Sequence, residues 1–312
     1  MLINQASRSE KNREYFYRHS LFCLLFFSQF IFPLISPQLI SASEFSSVEH
    51  KSLTGFETAY SQTSPGLGFQ IIGESFLIGK KIKKVSRVEL KVSSPIKKAF
   101  LIWSGEVKEH NKISGKIHFL GPKSKEHRIT AQRLWEKKST GILYSALADV
   151  TPYVKGTGLY GVKNLPSDIV NSGGRDPYSV AGWALLVVTE DRASDETRSV
   201  TFLAGLQVLR PGETYDLLLT PYLPKGNMES SSIGVIGGHG RAGNGSGNLL
   251  NGMAVSGEDD WDGSSGKFWD VDLYELRPDT GKRGSSDVTL TMDPLLQWLY
   301  PVGVVVKLRS HE

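Results

Sequence analysis

The chain has 312 residues, 39% hydrophobic and 22% charged, with 32 glycines, 14 prolines and a formal net charge of +4. That length and composition suffice for one large β domain with a buried core, and they exclude a disordered tail, a collagen and a coiled coil. The single cysteine, Cys23, excludes a disulfide scaffold and any cysteine-based zinc site.

In chain order, the first element is an address. Arg8, Lys11, Arg13 and Arg18 precede an apolar run from Leu21 to Ile35, and the small residues Ser41-Ala42-Ser43 follow. A basic start, an apolar stretch and a small-residue cut site read as a secretory signal peptide over residues 1–43. The alternative is an uncleaved inner-membrane anchor over residues 21–40, a stretch of just spanning length interrupted by Pro33, Pro37 and Gln38. Cys23 lies inside the apolar run and not at its end, so lipidation is not expected. The expected location is therefore secreted, or on the cell surface or outer envelope, with no integral membrane span once the signal is cut.

Residues 44–312 read as a single β domain. Arg87-Val-Glu-Leu-Lys-Val92 alternates strictly, as a strand does with one face in water. Ala99-Phe-Leu-Ile-Trp103 and Trp183-Ala-Leu-Leu-Val-Val188 are continuous apolar runs, as buried strands are. Lys116–Leu120, Ser199–Leu203, Tyr215–Thr220, Ser232–Ile236, Val288–Met292 and Val302–Leu308 add further strands between turn residues. Two segments have helical spacing. Ile142–Asp149 places apolar residues at 142, 143, 146 and 147, and Asp293-Pro294 looks like a cap and first helical position before Leu295–Leu299. The expected fold is an all-β, antiparallel β-sandwich, jelly-roll-like, with one or two short helices.

Four sequence blocks resemble an uncharacterised bacterial and archaeal surface-protein β domain, usually found ahead of repeat modules in adhesin-like secreted proteins. They are Lys98-Ala-Phe-Leu-Ile-Trp-Ser-Gly105, Ala148-Asp-Val-Thr-Pro-Tyr-Val154, Ala181-Gly-Trp-Ala-Leu-Leu-Val-Val-Thr-Glu-Asp191 and Arg198-Ser-Val-Thr-Phe-Leu-Ala-Gly-Leu206, in that order. The resemblance implies an extracellular β-sandwich and no catalytic residue. No downstream repeats follow Glu312 in this sequence, which favours a single surface domain over a stalk.

Charge is unevenly spread. Residues 80–138 hold 17 Lys/Arg against five Asp/Glu, and residues 213–280 hold four against 11. The acidic stretch is the best metal candidate. Asp259, Asp260, Asp262, Asp270 and Asp272 offer the short carboxylates that calcium takes around a turn, although no glutamate completes the EF-hand pattern. Trp261, Phe268, Trp269 and Tyr274 beside them suggest an alternative sugar-stacking platform. Gly237–Asn248 lacks the Gly-Lys-Ser/Thr ending of a phosphate loop and reads as a long mobile loop. Hydrolase motifs are absent, and paired carboxylates among Glu190, Asp191, Asp260 and Asp262 are the only enzymatic candidates. Lys80, Lys81, Lys83 and Lys84, with Lys97, Lys98 and three nearby histidines, define a basic face for an anionic glycan or an envelope surface, not for nucleic acid. The sequence thus reads as an exported, non-enzymatic, adhesin-like interaction module. The alternative is a carbohydrate-binding module or a cryptic glycan-active enzyme.

Overall fold

A computed structural model describes residues 55–138, 141–170, 179–220, 227–256, 259–276 and 287–309. The signal or anchor segment, Cys23 and Glu258 lie outside the described residues. Among those described, no helix is long and apolar enough to cross a membrane.

The first ten strands are β1 (Phe56–Pro65), β2 (Leu67–Ser75), β3 (Leu77–Ile78), β4 (Lys81–Ile82), β5 (Val85–Leu90), β6 (Ile96–Val107), β7 (Lys116–Leu120), β8 (Glu126–Thr130), β9 (Arg133–Lys138) and β10 (Ile142–Asp149). The second ten are β11 (Gly158–Lys163), β12 (Ala181–Glu190), β13 (Thr197–Gly205), β14 (Tyr215–Leu218), β15 (Asn227–Gly238), β16 (Gly247–Leu250), β17 (Met253–Ala254), β18 (Trp269–Glu275), β19 (Thr289–Asp293) and β20 (Tyr300–Arg309). The pairings among these strands are all antiparallel. Four sheets result: sheet 1 in the order β5-β11-β7-β8, sheet 2 β2-β12-β6-β10-β9, sheet 3 β1-β13-β20-β15-β18 and sheet 4 β14-β19-β16-β17. A small β3–β4 hairpin stands apart.

Three apolar cores lie between these sheets, and the strands of sheets 2 and 3 feed two cores each. In β6, Leu101 and Trp103 enter the core shared with sheet 1, while Phe100 and Ile102 enter the core shared with sheet 3. In β12, Trp183, Leu185 and Val187 face one way, and Ala184, Leu186 and Val188 the other. In β20, Val305 faces sheet 2, while Val304, Val306 and Leu308 join Leu217, Leu250, Leu290 and Met292 of sheet 4. A strand buried on both faces needs apolar residues at every position, which is why these stretches read as continuous runs. β5 has sheet 2 on one side only: Ser86 and Leu90 are buried, while Arg87 and Glu89 face away.

Neither segment with helical spacing forms a helix; the described helical residues are short 3₁₀ turns. Ile142–Asp149 is β10, paired with β6 on one side and β9 on the other. Tyr144, Ala146 and Ala148 fill one core and Leu143 and Leu147 the next, so two-sided burial mimics a helical period. At the second segment Asp293 does cap, its Oδ1 accepting the Leu295 N–H at 2.9 Å. Leu295 then takes a left-handed φ of 46°, so the chain makes a single turn, closed by the Gln297 N–H on the Pro294 carbonyl at 3.0 Å, and no helix forms.

Close packing between sheets 2 and 3 depends on Gly182. A Cβ built there would lie 2.1 Å from the Trp269 ring, which is itself wholly buried and donates Nε1–H to the Trp183 carbonyl at 3.1 Å. Gly182→Ala is therefore expected to destabilise the domain by about 1–3 kcal/mol through overpacking. Denaturant melts check this; an unchanged midpoint would mean that the ring moves aside freely.

Candidate functional site

The acidic segment folds around the glycine-rich one. β15 carries the chain through Gly238 and β16 resumes at Gly247, so the expected long mobile loop is reduced to eight residues pinned by side chains. Asp259 Oδ2 accepts the Gly243 and Asn244 N–H groups at 2.7 and 3.1 Å, and Oδ1 accepts the Ser246 hydroxyl at 3.1 Å. Asp260 Oδ2 accepts the Asn248 N–H at 2.6 Å, and the Ser256 hydroxyl donates to Oδ1. Gln297 Nε2 donates to the Trp261 carbonyl at 3.0 Å, and its Oε1 accepts from Asn244 Nδ2 at 3.0 Å. His239 is buried between Phe268 and Tyr300, with ring centroids 5.4 and 5.1 Å away. Burial pushes its imidazole down to about 4, so it is a neutral core ring and no metal ligand is needed to explain it.

Asp270 and Asp272 share one face of the edge strand β18. Asp270 Oδ1 accepts the Gly263 and Ser264 N–H groups at 2.6 and 3.3 Å, and Asp272 Oδ1 accepts the Ser264 hydroxyl at 2.8 Å. The second oxygen of each is buried without a hydrogen-bond partner. A Cβ at residue 240 would come within 2.0 Å of Asp270 Oδ2, so only glycine fits opposite it. Burial, and then the charges of Asp272 and Asp262, hold the Asp270 carboxyl well above the usual carboxylate range. Burial, with Asp262 and Asp260 nearby, raises Asp272 to about 6. Asp262 is exposed.

The five aspartates therefore do separate jobs. Asp259, Asp260 and Asp270 accept backbone N–H groups, Asp272 holds Ser264, and Asp262 faces solvent. Among the described residues, no three carboxylate, imidazole or thiol groups are placed to hold a metal ion, so the calcium expectation finds no ligand set. The sugar platform is overturned: Trp261 and Trp269 are wholly buried and Phe268 is 5% exposed, because these rings fill the space between sheets. Glu190 is held by Lys97 and Ser64, and Asp191 accepts the Ala193 N–H at 3.0 Å. A pocket of about 410 Å³ does open beside Asp259, Asp260, Asp293, Asn248 and Ser256 on the sheet 4 side.

The basic segment behaves differently. The inward residues of sheet 1, among them Leu90, Ile117, Phe119, Ile129, Tyr160 and Val162, fill its core with sheet 2. Strand alternation then turns Arg87, Lys116, His118, Arg128 and Lys163 outward. Lys163, His118 and Arg128 stand in register across β11, β7 and β8. Glu126 accepts from Lys163 at 3.1 Å and pairs with His118. Among the described residues, Arg87, Lys116 and Arg128 make no salt bridge. Exposed Lys84, Lys91, Lys123 and Lys125 flank the face. The expected centre at Lys80–Lys84 is its margin: Lys83 pairs with Glu74 at 3.0 Å, and the β3–β4 hairpin leads into β5. Lys97, Lys98 and Lys112 are tied to Glu190, Asp149 and Asp168. Lys163 lies outside the basic segment in sequence, and only the pairing of β11 with β7 adds it to the row.

No protein-family model matches the chain, and no curated protein matches it. Among solved structures, it is similar to BuGH86 in complex with neoagarooctaose at 10% identity, with 81% of this chain and 34% of that one covered and a TM-score of 0.26. The chain spans about a third of the length of BuGH86. PNGase F, a glycosylasparaginase from Flavobacterium meningosepticum, is similar at 9% identity over 81% of this chain and 97% of that one, with a TM-score of 0.24. Likenesses this slight assign no activity to the chain.

The raised carboxyls give a pH prediction. A carboxyl whose folded value lies above its unfolded value favours folding while it stays protonated, and that contribution is lost as pH rises. For Asp272 the loss runs from about pH 4, the unfolded value, to about 6. His239 works in the opposite sense, because the unfolded imidazole gains a proton below about pH 6.5 that the folded one resists. Comparing a variant with wild type cancels that term. Asp272→Asn is expected to stabilise the domain by about 2 kcal/mol at pH 7.5, an advantage that vanishes by about pH 4. Urea melts at the two pH values check this; equal stabilities at pH 7.5 would contradict it.

Proposed function

We propose that this protein is an exported, non-catalytic binding module of a bacterial surface or envelope, and that it binds an anionic polysaccharide through the outer face of sheet 1. The observation that carries this reading is the outward row of Lys163, His118 and Arg128, with Arg87 and Lys116 beside it. A sheet face that carries lysine and arginine side chains suits a repeating polyanion, whose counterions are released as it settles. Export rests on the basic start, the apolar run and Ser41-Ala42-Ser43. The resemblance to adhesin-like surface domains fits the same role. A glycan-active enzyme is the less supported alternative, since three of its four candidate carboxylates are engaged: Glu190 by Lys97, and Asp191 and Asp260 by backbone N–H groups, while Asp262 faces solvent.

Retention on sulfated dextran beads tests the reading. The protein is expected to bind in 50 mM salt, to elute steeply as salt rises, and to pass through neutral dextran. Arg128→Glu with Lys163→Glu should weaken binding about tenfold or more while leaving the melting temperature nearly unchanged. Absence of retention, or equal retention of the double variant, would overturn the assignment.

A further inference from the structure

Sheets 1 and 4 are the two outer layers of the stack, because sheets 2 and 3 lie between them through the three cores. Their solvent faces differ in chemistry. The strands of sheet 4 contain Asp216 and Asp293 and no lysine or arginine. With Leu217, Leu290 and Met292 turned into the core, alternation turns Asp216, Leu218, Thr291 and Asp293 outward. Asp259 borders this face at the pocket. Leu218, Met253, Leu295 and Leu296 are exposed around it, the last at 80%. Sheet 1 offers the converse, with cations around exposed Val85 and Leu159.

We propose that a second copy of the chain docks head to tail, its acidic sheet 4 face on the basic sheet 1 face of the first. This deepens the proposed function, and rests on it, by making self-association a regulator of the same basic surface. Each copy would carry one face of each kind pointing away from the other, so the contact is heterologous and does not close; it generates chains instead of dimers. Size sets the strength. The strands of sheet 4 are two to five residues long, so at about 4.8 Å spacing they cover at most roughly 19 by 17 Å, well under the ~800 Å² per partner of a standard interface. Association should therefore be weak and strongly dependent on salt. A polyanion bound to sheet 1 would occupy the same surface and release the chains.

Sedimentation velocity on the purified protein tests this. In 20 mM salt the mean mass should grow with concentration past the dimer, and in 500 mM salt, or with soluble sulfated dextran, it should return to monomer. Asp216→Lys with Asp293→Lys should abolish growth while keeping retention on sulfated dextran beads; the milder Asp216→Asn with Asp293→Asn and melting curves guard against misfolding. The Arg128→Glu/Lys163→Glu variant should also stay monomeric alone, and mixing the two charge-reversed variants should restore association. A monomer at all concentrations in low salt, or growth that survives the sheet 4 changes, would overturn the inference. A monomeric protein that still binds the beads would sink self-association alone. A protein that associates but does not bind the beads would sink the polysaccharide reading, and with it release by a polyanion, and leave the docking of copies standing.

Discussion

Two-sided burial of sheets 2 and 3 is the constraint from which most of this structure follows. Each central strand must satisfy two different neighbours with alternate side chains, so Trp103 and Trp183 enter one core while Ile102 and Leu186 enter another. Such packing leaves little room between layers. Gly182 sits under the Trp269 ring, and Trp183 is wholly buried with Nε1 donating to Ser86 at 2.8 Å. It also limits where binding can take place. Faces of sheets 2 and 3 are spent on the core, which leaves the outer faces of sheets 1 and 4, the strand edges and the connecting turns.

The charges are distributed in keeping with the reach of their side chains. Aspartate is short, and its carboxylate meets nearby backbone N–H groups in turns, so the acidic segment becomes the internal fastening of the glycine-rich connection. Lysine and arginine have long apolar stems and keep their heads in water. The basic segment therefore stays on the surface, where part of it is tied to Glu74, Asp149 and Glu190 and the rest forms a face, with Glu126 set between His118 and Lys163. Burial of Asp270 and Asp272, with other carboxylates nearby, is the cost of this internal fastening, and it raises both carboxyls.

Much of the strand content is legible in the residues themselves. Ala99–Trp103 and Trp183–Val188 lie in buried strands, and the alternation from Arg87 marks a strand with one wet face. The β10 segment differs because a strand buried on both sides can imitate helical spacing by chance, and only its pairing partners decide. The aromatic cluster near Trp261 is legible as a cluster but not as core, since composition does not show which way a ring points. The acidic cluster is likewise visible as a run of carboxylates. Its division into caps for Gly243, Asn248 and Gly263 depends on contacts across loops that sequence spacing does not encode. The basic face is visible as a charge excess; the register of β11, β7 and β8 puts its centre on those strands and not on the Lys80 hairpin.

If the acidic groups hold the fold while the basic groups of sheet 1 hold the ligand, the two sets of lysines around them should respond differently to a polyanion. Lysine acylation read by mass spectrometry, with and without sulfated dextran, tests this most directly. Lys116 and Lys163 are expected to lose reactivity when the polymer is present, while Lys267 and Lys307 keep theirs. Unchanged reactivity at Lys116 and Lys163, or protection centred on Lys267 beside the aspartate turns, would contradict it.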